Sequence, residues 1–129
     1  YWKSKNISLD GVVLKDGSGL SRNNLMSTKF LVDVLKHIYN SDYFEFYKNS
    51  LALAGKSGTL QNAFKNTSAE NNFLGKTGSM GGIRSYAGFI NNKSGDTICF
   101  AFIVNGHTLK NAEIRKKMET LIISLSDSE

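Results

Sequence analysis

The feature that most constrains this chain is the stretch Gly75-Lys76-Thr77-Gly78-Ser79-Met80, followed at once by two strand patterns. Ser85-Tyr86-Ala87-Gly88-Phe89-Ile90 and Thr97-Ile98-Cys99-Phe100-Ala101-Phe102-Ile103-Val104 are rich in aromatic and β-branched residues. The link Asn91-Asn92-Lys93-Ser94-Gly95-Asp96 has the composition of a hairpin loop. Three antiparallel strands are therefore expected, over residues 73–80, 84–91 and 96–104. The opening stretch gathers a lysine, two hydroxyls and two glycines in six residues. Glycine lets another backbone come close, and the lysine and hydroxyls offer an anion a charge and donors.

Two other readings compete at this stretch. Gly75-Lys76-Thr77 and Gly55-Lys56-Ser57 each look like the end of a phosphate-binding loop. That loop needs a glycine five residues before the Gly of Gly-Lys, where these candidates have Glu70 and Ser50. A strand also follows Lys76 where such a loop would open a helix. The remaining rival is a glycine-rich turn between strands, since a three-residue match is weak by itself.

Around the strands, helical periods appear. Ser27-Thr28 starts a helix, and Phe30, Leu31, Val34, Leu35 and Ile38 fall on one of its faces. A second short helix is expected over 42–50, where Tyr43, Phe44, Phe46 and Tyr47 (with Tyr39 before them) read as core rather than as a stacking platform. The last element is a helix from Asn111 to Leu125 with Ala112, Ile114, Met118, Leu121, Ile122 and Leu125 as its apolar face. Val12-Val13-Leu14 reads as a short extended run, Leu60 to Asn66 as a turn or short helix, and Thr67 to Asn72 as exposed. The fold class is α/β of the α+β kind: one antiparallel sheet flanked by helices. At 129 residues the chain is one domain with room for one core.

The net charge of +5 comes from scattered lysines and arginines, and the one run, Arg115-Lys116-Lys117, lies on the solvated face of the last helix. Nucleic-acid binding is therefore not expected, although a mildly positive field suits an anionic substrate. Cys99 is the sole cysteine, so no disulfide forms within the chain. His37 and His107 have no partner pattern, and neither a metal nor a cofactor is expected. No apolar run is long enough to span a membrane. The chain opens Tyr1-Trp2 without an initiator methionine, and it reads as a segment cut from a longer protein.

Three stretches together resemble one family. They are Asp16-Gly17-Ser18-Gly19-Leu20-Ser21-Arg22-Asn23-Asn24, then Leu53-Ala54-Gly55-Lys56-Ser57-Gly58-Thr59-Leu60, then Gly75-Lys76-Thr77-Gly78-Ser79 running into Tyr86-Ala87-Gly88-Phe89-Ile90. Lys-Thr-Gly heading a strand is one of three signatures of serine enzymes that act on penicillin or D-alanyl peptides. With the other two stretches, the chain resembles the C-terminal part of the D-alanyl-D-alanine carboxypeptidase/endopeptidases, the class C low-molecular-mass penicillin-binding proteins. The resemblance runs from Asp10 to Val104. It implies a partial β-lactamase/DD-peptidase-like fold, with residues 1–129 as the C-terminal part of the penicillin-binding domain.

The resemblance also implies a site. Lys76 would sit beside the nucleophile and attract the terminal carboxylate of a peptidoglycan stem peptide. Thr77 and Ser79 hydroxyls would donate to that carboxylate, the Ser79 N–H would form half of an oxyanion hole, and Gly78 would let the substrate lie against the strand. Leu20, Arg22 and Met80 would hold the rest of the stem peptide. Arg22 could equally pin its own loop, and for Leu20 and Met80 core packing is the favoured reading. Asp16 is expected to fix the glycine turn that follows it. β-Lactams would be inhibitors, and the location would be periplasmic or otherwise extracytoplasmic. The family's nucleophile lies in Ser-x-x-Lys, and no serine here has lysine three residues on. Ser4-Lys5-Asn6 and Ser21-Arg22-Asn23 match the family's Ser-x-Asn only formally. The chain alone is therefore expected to be inactive, and to self-associate through exposed sheet or bind its missing N-terminal part. A β-lactamase-like or esterase-like hydrolase fragment and a non-catalytic binding domain on the same scaffold remain the alternatives.

Overall fold

The computed structural model describes all residues from Tyr1 to Glu129. Three helices, α1 (Thr28–Tyr39), α2 (Phe44–Ser50) and α3 (Asn111–Asp127), accompany four strands, β1 (Ala52–Leu53), β2 (Leu74–Met80), β3 (Ile83–Asn91) and β4 (Thr97–Asn105). The strands form one antiparallel sheet in chain order. The expected antiparallel sheet flanked by helices is thus present, with β1 as an added fourth strand. No helix is long and apolar enough to cross a membrane.

Local chemistry explains the boundaries. Ser27 caps α1, its Oγ accepting the Phe30 N–H at 3.0 Å. Met80 pairs with Ile83, so β2 and β3 are joined by Gly81-Gly82 alone, and Gly82 supplies the left-handed φ of +72° that this turn requires. The β3–β4 loop closes by the Asn92 N–H donating to Asp96 O at 3.0 Å.

Because side chains alternate along a strand, each strand contributes to two layers. Phe73, Tyr86, Ile90 and Phe100 face α3, where Ile114, Met118 and Ile122 form one buried row. Ring centroids of 5.2 Å for Phe73–Phe100 and 5.3 Å for Phe64–Phe73 show how tightly this core is filled. On the opposite face, Phe89 receives Tyr39, Phe44 and Tyr47. The result is a helix–sheet–helix sandwich whose deeper core lies beneath α3.

Some expectations shift. Tyr43 and Phe46 are 73% and 79% exposed, so only part of the aromatic cluster is core. Leu121 stands 53% exposed, because the buried row of α3 runs through Ile114, Met118, Ile122 and Ser126 at four-residue spacing and bypasses it. The segment Thr67 to Asn72, expected to be exposed, contains fully buried Ala69, and Leu60 and Phe73 on either side of it are fully buried as well. The run at Val12–Leu14 is reduced to a single bridge between Val13 and Leu25.

Candidate active site

The position of β2 in the sheet defines the site. The Ala54 N–H donates to Phe73 O at 2.9 Å, so the backbone of Phe73 is turned toward β1. By the two-residue period, Gly75, Thr77 and Ser79 turn the same way, while Leu74, Lys76, Gly78 and Met80 turn toward β3. β1 is two residues long and reaches only Leu74 and Gly75. Beyond it the Thr77 and Ser79 backbone groups lie on an open edge. The one group seated there is the Lys76 ammonium, whose Nζ donates to Thr77 O at 2.8 Å.

Side chains alternate across the same strand. Lys76 and Met80 stand on the Phe89 face, and Thr77 and Ser79 on the Tyr86 face. Lys76 and Ser79 are exposed; Thr77, Gly78 and Met80 are half-buried. The Thr77 hydroxyl donates to Thr59 Oγ1 at 3.0 Å. Two cavities flank the strand. One, of about 360 Å³, lies between Lys76, the corner Ser50-Leu51-Ala52 that ends α2, and the turn Ser57-Gly58-Thr59. The other, of about 190 Å³, is lined by Gly78, Ser79 and Met80 together with Arg22, Asn24, Met26 and Ser85.

The loop that brings Arg22 to this second cavity is organised by one carboxylate. Asp16 accepts from Ser18 Oγ (2.9 Å), the Gly19 N–H (3.2 Å), the Ser21 N–H (3.0 Å) and Asn24 Nδ2 (2.8 Å). Asn24 Oδ1 in turn accepts the Lys15 N–H at 2.7 Å. These bonds, chiefly those from Asn24 and Ser18, hold the Asp16 carboxyl below its ordinary pKa. Asp16 therefore fixes the turn, and Arg22 is not needed to pin it: its guanidinium is exposed and makes no hydrogen bond or ion pair. Leu20 is 78% exposed, which removes it from the core, and it does not line the cavity.

The glycines on β2 have a reason within the sheet. A Cβ on Gly78 would lie 2.3 Å from Ser85 Oγ on the neighbouring strand. Gly75 faces Gly88 directly, and a Cβ on Gly88 would meet Leu74 O at 2.0 Å. The structure thus brings Arg22, Gly78, Ser79 and Met80 to one cavity, sets Lys76 on the other, and ties Thr77 to Thr59. Asn24 and Thr59 lay inside stretches already singled out by motif. Ser85 became visible only through the strand register.

The chain is 37% identical over 103 residues to a D-alanyl-D-alanine carboxypeptidase of Actinomadura, covering 76% of this chain and 19% of that protein. It is 38% identical over 118 residues to penicillin-sensitive carboxypeptidase A of Dictyostelium discoideum, covering 86% of this chain and 23% of that protein. The chain thus spans about a fifth to a quarter of the length of these relatives. Among solved structures, penicillin-binding protein 4 of Haemophilus influenzae superposes with a TM-score of 0.89 at 27% identity, covering 98% of this chain and 30% of that one. Residues 2–126 match the D-Ala-D-Ala carboxypeptidase 3 (S13) family, and the chain belongs to that family.

Proposed function

We propose that the chain is one wall of a serine D-Ala-D-Ala carboxypeptidase/endopeptidase that acts on peptidoglycan stem peptides in the periplasm or another extracytoplasmic space. One observation carries this reading: β1 pairs no further than Gly75, so Lys-Thr-Gly-Ser lies on a sheet edge with Lys76 and Ser79 exposed and Thr77 half-buried beside them. An extended substrate can pair with such an edge. The Lys76 ammonium and the Thr77 and Ser79 hydroxyls then meet the terminal carboxylate. The outward N–H of Ser79 is aimed as an oxyanion donor. Arg22, free of other partners, suits a carboxylate on the stem-peptide side chain, since a guanidinium can grip it at two points. Met80 supplies apolar contact beside it, and Leu20, on the exposed tip of the same loop, is a further contact for the stem peptide.

The nucleophile comes from a Ser-x-x-Lys outside these 129 residues, because none occurs here. This chain alone is therefore inactive. In the reaction, the serine attacks the carbonyl between the two D-alanines, D-alanine leaves, and water releases the acyl-enzyme. β-Lactams acylate the same serine, in keeping with a β-lactam complex solved for the Haemophilus penicillin-binding protein 4. The rest of the domain would cover the outer edge of β4, which no strand occupies. A lone chain would pair there with a copy of itself.

Penicillin labelling of the full-length protein tests the reading. A covalent adduct is expected, together with its loss in Lys76→Ala. Absence of an adduct in the unmodified protein would sink the proposal. Turnover of a D-Ala-D-Ala peptide in preference to nitrocefin separates it from a β-lactamase, and hydrolysis by the 129-residue chain alone would mean that the nucleophile lies here after all.

A further inference from the structure

The stretch Leu53–Leu60 has no role in the chemistry described so far, yet it is built toward the site. Ser57 Oγ accepts the Leu53 N–H at 2.9 Å, and the Gly55 N–H donates to Leu60 O at 3.0 Å. Gly58 takes a left-handed φ of +53°, and a Cβ there would lie 3.1 Å from Ala52 Cβ. Leu60 is fully buried and anchors the far end of the turn. The turn leaves Thr59 exposed, and its side chain makes one hydrogen bond, to Thr77 Oγ1 at 3.0 Å across a separation of 18 residues. Thr59 also lines the cavity that holds Lys76.

We propose that Thr59 is a positioning residue for the reaction: its hydroxyl holds the Thr77 hydroxyl in the orientation that binds the substrate's terminal carboxylate. The inference rests on the functional reading given above. Without ligand, Thr77 donates its proton to Thr59. When a carboxylate arrives, Thr77 donates to the anion instead, and Thr59 turns its own O–H toward Thr77 Oγ1. No proton leaves either oxygen; two hydroxyl rotors reverse. A donor that itself accepts a hydrogen bond is the stronger donor. The bond also selects one of Thr77's few staggered rotamers, so binding does not have to order it.

A double-mutant cycle in the full-length protein, read as the second-order rate of acylation by penicillin, tests this directly. Thr59→Val should slow acylation about 3- to 10-fold, the worth of one hydrogen bond, and Thr59→Ser should restore it to within about 2-fold. In a Thr77→Val background the same Thr59→Val change should add less than about 2-fold, because its partner is gone. Equal slowing in both backgrounds would overturn the proposal in favour of a structural role for the turn, as would full activity of Thr59→Val or failure of Thr59→Ser to rescue. Thr59→Ala serves as a second hydroxyl-deleting variant if the valine variant does not fold, and the same outcomes apply to it. If the unmodified protein is not acylated at all, the functional reading itself fails, and that result is distinct from an unmodified protein that reacts and is indifferent to Thr59.

Discussion

Asp16 organises the loop that carries Arg22. Its carboxylate accepts four hydrogen bonds from the loop it begins, and these depress its pKa. A depressed carboxylate contributes order that is present above the ordinary aspartate value of about 3.9 and lost as pH falls through the lower, folded value. In an acid titration followed by NMR, the Gly19 and Ser21 amide signals should therefore shift with a midpoint below about 3.9. A midpoint at or above that value would contradict the clamp. Arg22 is the converse case, a charged residue that holds nothing in place. Arg22→Ala should change stability by less than about 0.5 kcal/mol while raising KM for a stem peptide with an acidic side chain, by about 10-fold or more for loss of a charged hydrogen bond. Equal KM values with acidic and neutral side chains would remove Arg22 from the specificity argument. The clamp could be read from the sequence, because Asp-Gly-Ser-Gly is turn chemistry. The absence of partners for Arg22 could not, since it depends on Asn24 reaching back across the loop.

Between elements, the β3–α3 junction combines packing with a short polar chain. The Tyr86 hydroxyl donates to Glu119 Oε1 at 3.2 Å, Arg115 Nε donates to the same oxygen at 2.7 Å, and Arg84 lies over the Tyr86 ring at 5.6 Å. Burial raises the Tyr86 pKa, while Glu119 raises that of Arg115 by stabilising its charge. Tyr86→Phe should cost about 1 kcal/mol, one hydrogen bond, and Phe73→Ala about 3–5 kcal/mol, a large buried ring. Denaturant unfolding measures both, and near-equal losses would show that the polar chain, not the ring packing, holds α3 to the sheet. The elements involved were largely legible: runs of aromatic and β-branched residues marked β3 and β4, the Lys-Thr-Gly stretch marked β2, and helical spacing marked α1 and α3. The segment 60–73 was not. Its buried residues follow turns in which Phe64, Asn66 and Asn71 take left-handed φ values of +64°, +61° and +58°. A chain that reverses this often has no period to detect. β1 was hidden for a different reason, since two residues carry no alternation at all.

Over the molecule as a whole, the residues proposed to act are divided between the two layers of the sandwich. Lys76 belongs to the layer of α1 and α2, and Thr77 and Ser79 to the layer of α3. Motif spacing disclosed which residues gather on β2, but not that they face opposite layers. Nor did it disclose which cavity each joins, because that follows from register and from where β1 ends. The shortness of β1 also has a kinetic consequence. Along one strand, the Lys76 and Gly78 amides are turned toward β3 and shielded by it, while the Thr77 and Ser79 amides face outward, unmatched by any strand. Hydrogen–deuterium exchange should therefore alternate residue by residue from Lys76 to Ser79, slow, fast, slow, fast. In the full-length protein, a β-lactam bound at the proposed site should slow Ser79 and leave Gly78 as it was, so that a single strand reports on its own occupancy. Uniform protection without ligand would mean that the edge is closed.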